Sequence, residues 1–183
     1  YNNGSSIARL APGTASQLLQ TGGASANPSW TNAPVGIAEA DMFRKTANTG
    51  ATAQEPVDNW ERCDDASFAK IGTGMTVTSN IFIFPSTGLY WVRFHWDGDS
   101  ANNGGHSRIK VSTDGGSNYD TVADPHVGDG QGWYIGASTE AFINVTNTSN
   151  FRVKLQKTGT WNMYGSTTEN RTTVTFIRLG DSQ

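Results

Sequence analysis

This chain holds a single cysteine, Cys63, in 183 residues. A lone thiol has no internal partner, so no disulfide framework staples the fold. Stability must come from packing or from association with other copies. Cys63 itself reads as a small apolar residue rather than a reactive thiol. Positive charge is scarce as well. With 13 Lys and Arg against 16 Asp and Glu, the formal charge is −3; there is no basic run, and nucleic acid is not an expected partner. No apolar stretch approaches the ~20 residues of a membrane-crossing helix, so membrane insertion is not expected. The start of the chain lacks the charged and apolar regions of a secretory signal. It begins on Tyr1 rather than Met, as expected of a piece of a longer polypeptide.

Spacings that mark chemistry are missing too. There is no HExxH or CxxC pattern for zinc. Gly72-Thr73-Gly74 and Gly128-Asp129-Gly130 lack the flanking helix of a phosphate loop or nucleophile elbow. His95, His106 and His126 read as strand or loop histidines with ordinary hydrogen bonds. A polysaccharide-cutting enzyme would need paired carboxylates across a groove. No spacing among Glu39, Asp41, Glu55, Asp58, Glu61, Asp64 and Asp65 marks such a pair, and no solenoid repeat is present. The chain is therefore read as non-enzymatic and without a cofactor. Calcium is left open: Asp97 and Asp99 sit beside glycine in a polar stretch and supply the oxygen ligands that calcium takes. Solvated turns in which Asp bonds its own backbone are the preferred reading of the same residues.

What is present is an all-β balance. Hydrophobic residues make up only 36 %, but 21 glycines and six tryptophans accompany many Thr, Ser and Asn. Small polar residues build turns and exposed strand faces, and a few large aromatics fill the core. The most informative segment is Ile81 to Trp96. Two strand-like runs flank Pro85-Ser86-Thr87-Gly88. In the second run Tyr90, Val92, Phe94 and Trp96 alternate with Leu89, Trp91, Arg93 and His95, which predicts a strand with large side chains on both faces. One face suits a sandwich core; the other calls for a second cover, such as another subunit. Further strands are expected at Met75–Thr78, Ser107–Val111, Asn118–Val122, Trp133–Ile135, Glu140–Val145, Phe151–Leu155 and Thr172–Leu179. Polar turns separate them, with the glycine hairpin signal Asp114-Gly115-Gly116 among these. Asp97–Gly105 and Thr158–Thr168 are expected to be loops. Ala38–Thr46 suits a short helix or an extended arm equally. Residues 1–35, rich in Gly, Ala, Ser, Thr and Asn, are read as an extended connector, either docking Leu18, Leu19 and Trp30 on a neighbour or loose. Residues 36–183 are expected to form one dense β domain.

Phe84-Pro85-Ser86-Thr87-Gly88-Leu89-Tyr90-Trp91-Val92 resembles the aromatic-Pro-x-x-Gly-aliphatic-Tyr turn of the complement globular-head and tumour-necrosis-factor-like jelly rolls. Thr173–Asp181 resembles their closing strand, and the order of strands between the two agrees. The resemblance covers roughly residues 41–181. Asp58–Asp65, Phe68–Met75 and Phe176–Asp181 are similar to jelly rolls of viral and bacteriophage fibre proteins. Gly13–Gly22 with Pro28-Ser29-Trp30 is similar to the linker of phage tail fibres, which implies that residues 1–35 are the end of a fibre shaft and residues 36–183 its jelly-roll head domain. No collagen-type Gly-x-y tract precedes the head, so a complement-type stalk is not implied.

The resemblance implies a jelly-roll β-sandwich, assembled as a homotrimer, at the extracellular tip of a virion fibre. Its expected role is attachment to a host-cell surface glycan or protein. The alternatives are a structural trimerisation or virion-decoration domain, or a polysaccharide-degrading tip. Leu89, Trp91, Phe176 and Leu179 are expected at the trimer interface, with Tyr90 and Phe94 shared between core and contact. From loop chemistry alone, Trp133, Tyr134, Trp161 and Tyr164 are the candidate receptor contacts, because flat rings with a polar edge suit sugars and proteins. Core or subunit contact is the competing reading for these four.

Overall fold

A computed structural model describes residues 9–24, 26–32, 36–100, 104–128 and 134–183. The chain divides into two units, Tyr1–Gly36 and Ile37–Gln183. In the first, β1 (Gln17–Gln20) and β2 (Ser29–Asn32) pair antiparallel, with Leu19 opposite Trp30. The Trp30 indole donates to the Ala11 carbonyl at 2.6 Å, while Leu18 and Leu19 remain exposed.

The second unit is all strand: β3 (Ala40–Lys45), β4 (Trp60–Arg62), β5 (Thr76–Thr78), β6 (Ile81–Ile83), β7 (Gly88–Ser100), β8 (Gly105–Ser112), β9 (Asp120–Ala123), β10 (His126–Val127), β11 (Tyr134–Val145), β12 (Arg152–Lys157), β13 (Trp161–Met163) and β14 (Thr173–Gly180). They form two sheets. One runs β11-β7-β14-β3-β4, with β13 extending along β7; the other runs β10-β8-β12-β6-β5, with β9 on β8. Every pairing is antiparallel, and the chain crosses repeatedly between the two sheets, as at β6–β7, β7–β8 and β11–β12, in the manner of a jelly roll.

The alternation of β7 decides the layering. Tyr90, Val92, Phe94 and Trp96 are buried and meet Phe82, Phe84, Val153 and Leu155 of the other sheet in one core. Its centre is aromatic. Phe82 and Phe84 lie 5.1 and 6.1 Å from Phe176, and Trp96 lies 4.9 Å from Trp161. Tyr90 closes the motif turn through its hydroxyl, 2.9 Å from Ser86 Oγ. Gly88 is required there because a Cβ would stand 2.7 Å from the Gly180 carbonyl oxygen.

Three features go beyond the sequence reading, the first by deciding between its two alternatives for Ala38–Thr46 in favour of the extended one. Ala38–Thr46 contributes a strand, β3, whose inward side carries Asp41 and Lys45 as well as Phe43. These charges are tolerated because each is paired. Arg62 Nε and Nη2 each reach Asp41 at 3.0 Å, and Lys45 Nζ reaches Asp58 at 2.9 Å. Second, β7 continues through the expected loop to Ser100, because β11 and β13 pair with its far end. Third, the expected loop 158–168 contains β13. On the other side of β3, Arg44 lies under the segment 61–65, bonded to Glu61 at 2.7 Å, to Asp65 at 3.1 Å and to Asp64. Cys63, itself part of this strap, is buried, its Sγ 3.3 Å from Asn170 Oδ1.

Candidate functional site

The outer face of the β7 sheet is the site that the architecture leaves open. Antiparallel partners point to the same side, so the register gives the face directly. Phe142 pairs with Trp91, Trp91 with Ile177, and Ile177 with Ala40. The result is one apolar row crossing four strands. Phe142, at its end, is 69 % exposed. The Trp91 indole is anchored by donating to Glu140 Oε2 at 2.7 Å. Trp91, Glu140, Ala141 and Phe142 line a recess of about 160 Å³. Half-buried Leu89 continues the stripe one step along β7.

Beyond the row the face turns polar. Arg93 donates to Ser138 Oγ at 2.8 Å, and His95 Nδ1 lies 3.2 Å from the same hydroxyl. Burial, with Arg93 alongside, holds the His95 imidazole below its usual pKa. At the far end of β7 stands an aromatic pair. Tyr134 is 77 % exposed, with its ring 6.1 Å from that of Tyr164. The Tyr164 hydroxyl donates to Asp99, which pushes its pKa up to about 12. The Arg171 guanidinium covers the Tyr164 ring at 4.4 Å and bonds Asp97 at 2.8 Å.

This geometry sorts the candidates. Tyr134 and Tyr164 lie side by side on the surface. Trp133 lies outside the described residues. Trp161 is not a surface residue: it is fully buried against Trp96, and its indole donates to the Thr158 carbonyl at 2.7 Å. Within β13 it points inward with Met163, which pairs across from buried Gly98. Phe176 is likewise corrected to the core, 1 % exposed between Phe82 and Phe84. The outward neighbour in β14 is Ile177. Leu89 and Trp91 face outward, and Leu179 is 52 % exposed at the irregularity that ends β14. Asp97 and Asp99 are strand residues already engaged by Arg171 and Tyr164, not free loop carboxylates. Among the described residues no group of three or more potential ligands is placed to hold a metal ion. Phe142 and Ile177 are the site residues that strand-by-strand reading misses, since only the register brings them beside Trp91.

No family model matches the chain, and no curated protein matches it significantly. Solved structures do match. The Eiger TNF of S. frugiperda aligns at a TM-score of 0.65 and 11 % identity over 81 % of this chain and 96 % of that one. Murine APRIL aligns at 0.58 and 12 % identity, over 77 % and 98 %. The fold is the TNF-like jelly roll. The globular domain of zebrafish complement 1qA protein aligns at 0.51 and 14 % identity, over 79 % and 99 %. At these identities the jelly-roll likeness is one of fold, and the chemistry of the face belongs to this sequence.

Proposed function

We propose that this chain is the non-enzymatic, receptor-binding head of a homotrimeric viral or phage fibre. It would sit at the extracellular tip of the virion and attach it to a host-cell surface glycan or protein. The observation that carries the reading is the four-strand apolar row of Phe142, Trp91, Ile177 and Ala40, which a solitary sandwich leaves half-covered, with Phe142 in water. A contiguous apolar patch rimmed by polar groups marks an interaction surface, and a cyclic assembly of identical copies covers such a patch on every subunit at once. An interface of this kind needs on the order of 1,000 Å² or more of buried surface. Exposed Tyr134, beside half-buried Tyr164, then provides one receptor contact per subunit, and three weak contacts on one rigid body gain effective affinity by multivalency.

The TNF-like fold and the similarity of the N-terminal segment to fibre linkers support the same reading. The test is native mass by light scattering together with adsorption to host cells. A trimer that adsorbs, and loses adsorption on Tyr134→Ala, is the expected result. A stable monomer at all concentrations rejects the reading. A trimer with no cell or glycan binding points instead to a decoration domain.

A further inference from the structure

The opposite sheet carries a second recess, of about 250 Å³, on its outer side. Thr78, Ile81, Ile83, Gly116, Tyr119 and Arg152 line it. Arg152 is its unusual member. Its guanidinium donates to the carbonyls of Thr148 and Phe151, both at 2.7 Å, and of Ser149 at 2.9 Å. These bonds fix its position but leave its charge unmatched. Arg108, Lys110 and Lys154, on the same two strands, are paired with Asp124 or Glu55. Among the described residues Arg152 has no carboxylate partner, in a chain whose formal charge is −3.

The rest of the lining is mixed in a particular way. Half-buried Ile81 and Ile83 present an apolar surface. Among the described residues the buried Tyr119 hydroxyl has no hydrogen-bond partner, and Lys154 Nζ sits 4.0 Å from the centre of its ring. Thr78 and Ser79 add hydroxyl-bearing side chains. Gly116 keeps the turn thin, since a Cβ there would come within 3.3 Å of the Tyr119 oxygen.

We propose that this recess binds the carboxylate-bearing ring of an acidic sugar, a hexuronic acid at a chain end or as a free monosaccharide. Arg152 takes the carboxylate through charge-assisted hydrogen bonds. Ile81, Ile83 and the Tyr119 edge take the carbon face of the ring, and Thr78 and Ser79 meet its hydroxyls. An acidic peptide side chain meets the charge requirement but offers no ring face for the isoleucines. The proposal names a ligand class for the head described above and rests on that reading for its biological setting.

The test is saturation-transfer NMR on the intact protein at low ionic strength. The probes are glucuronic acid, galacturonic acid, glucose and a doubly capped glutamate. The expected result is transfer to the two uronic acids, little to glucose or glutamate, and suppression by salt. Thr78→Glu puts a negative charge at the recess on an exposed residue and should weaken uronic-acid binding roughly tenfold or more. Thr167→Glu, on an exposed loop outside the recess, adds the same charge and should leave binding unchanged. Arg152→Gln should abolish binding; because Arg152 also ties its turn, its melting temperature is read alongside, and Thr78→Glu decides if that variant unfolds. Equal binding by Thr78→Glu and Thr167→Glu overturns the proposal. So does glucose, or the glutamate probe, binding as well as the uronic acids. If uronic acids fail to bind while the trimer still adsorbs to host cells, the recess is rejected and the receptor-binding reading stands. Loss of adsorption as well removes both.

Discussion

Lys157 lies wholly inside the sandwich, with Nζ donating to the Thr52 carbonyl at 2.6 Å and standing 4.9 Å from the Trp161 ring. Burial first, and the nearby Lys45 charge second, bring its pKa down to about 8 from the ordinary 10.5. The folded state therefore releases this proton more readily than the unfolded chain. Between about pH 8 and 10.5 the unfolded state binds more protons, so stability rises with pH across that window, and below it the full cost of the buried charge applies. Lys45, also lowered by burial, acts in the same direction. Lys157→Met is expected to stabilise the protein at pH 7 by about 1–3 kcal/mol and to flatten the pH slope; calorimetry from pH 7 to pH 10 reads both, and an unchanged slope removes the assignment. A second contrast belongs at this scale. Trp161→Ala should cost about 3–5 kcal/mol as a core deletion, whereas Tyr134→Ala, at an exposed position, should stay within about 0.5 kcal/mol and affect only receptor adsorption.

At the scale of elements, β7 separates what pattern carries from what it cannot. The alternation Tyr90-Val92-Phe94-Trp96 against Leu89-Trp91-Arg93-His95 is local, and the layering of the sandwich follows from it. The continuation through Asp97 to Ser100 is not local. It exists because β11 and β13 bring partners to a stretch whose own composition reads as loop, and Gly98 allows it, since a Cβ there would run into the Asn162 carbonyl oxygen. Gly98→Val is accordingly expected to unseat β13 and destabilise by about 2 kcal/mol or more, with faster amide exchange concentrated in Trp161–Met163. Register was similarly out of reach. Trp91 was legible as an outward aromatic, but its neighbours Phe142 and Ile177 come from strands 51 and 86 positions away in the chain, and no spacing announces that pairing. In β14, apolar residues on both sides of the strand hid which of Phe176 and Ile177 faces the core. In β3, two buried charges broke the alternation that would have marked a strand.

For the whole molecule the decisive quantity is assembly. If the apolar row is the seat of a trimer, Phe142→Asp places a charge where three copies meet and should give a folded monomer, visible as a threefold drop in native mass with near-UV dichroism retained. The unmutated protein should show a melting temperature that rises with concentration, as association linked to folding requires. Trp91→Ser should act in the same direction, with some loss of sheet packing as well. A melting temperature independent of concentration, and unchanged mass in Phe142→Asp, would assign the row to another partner.

The strap over Arg44 has a practical consequence. It carries, turned inward and buried, the only thiol in the chain, whose pKa burial pushes up to about 11, so alkylation of the native protein must await a local opening. The labelling rate of Cys63 is thus a built-in clock for how often this part of the head breathes. Arg44→Met, by cutting the strap's anchor, should make that clock run faster long before the fold itself is lost.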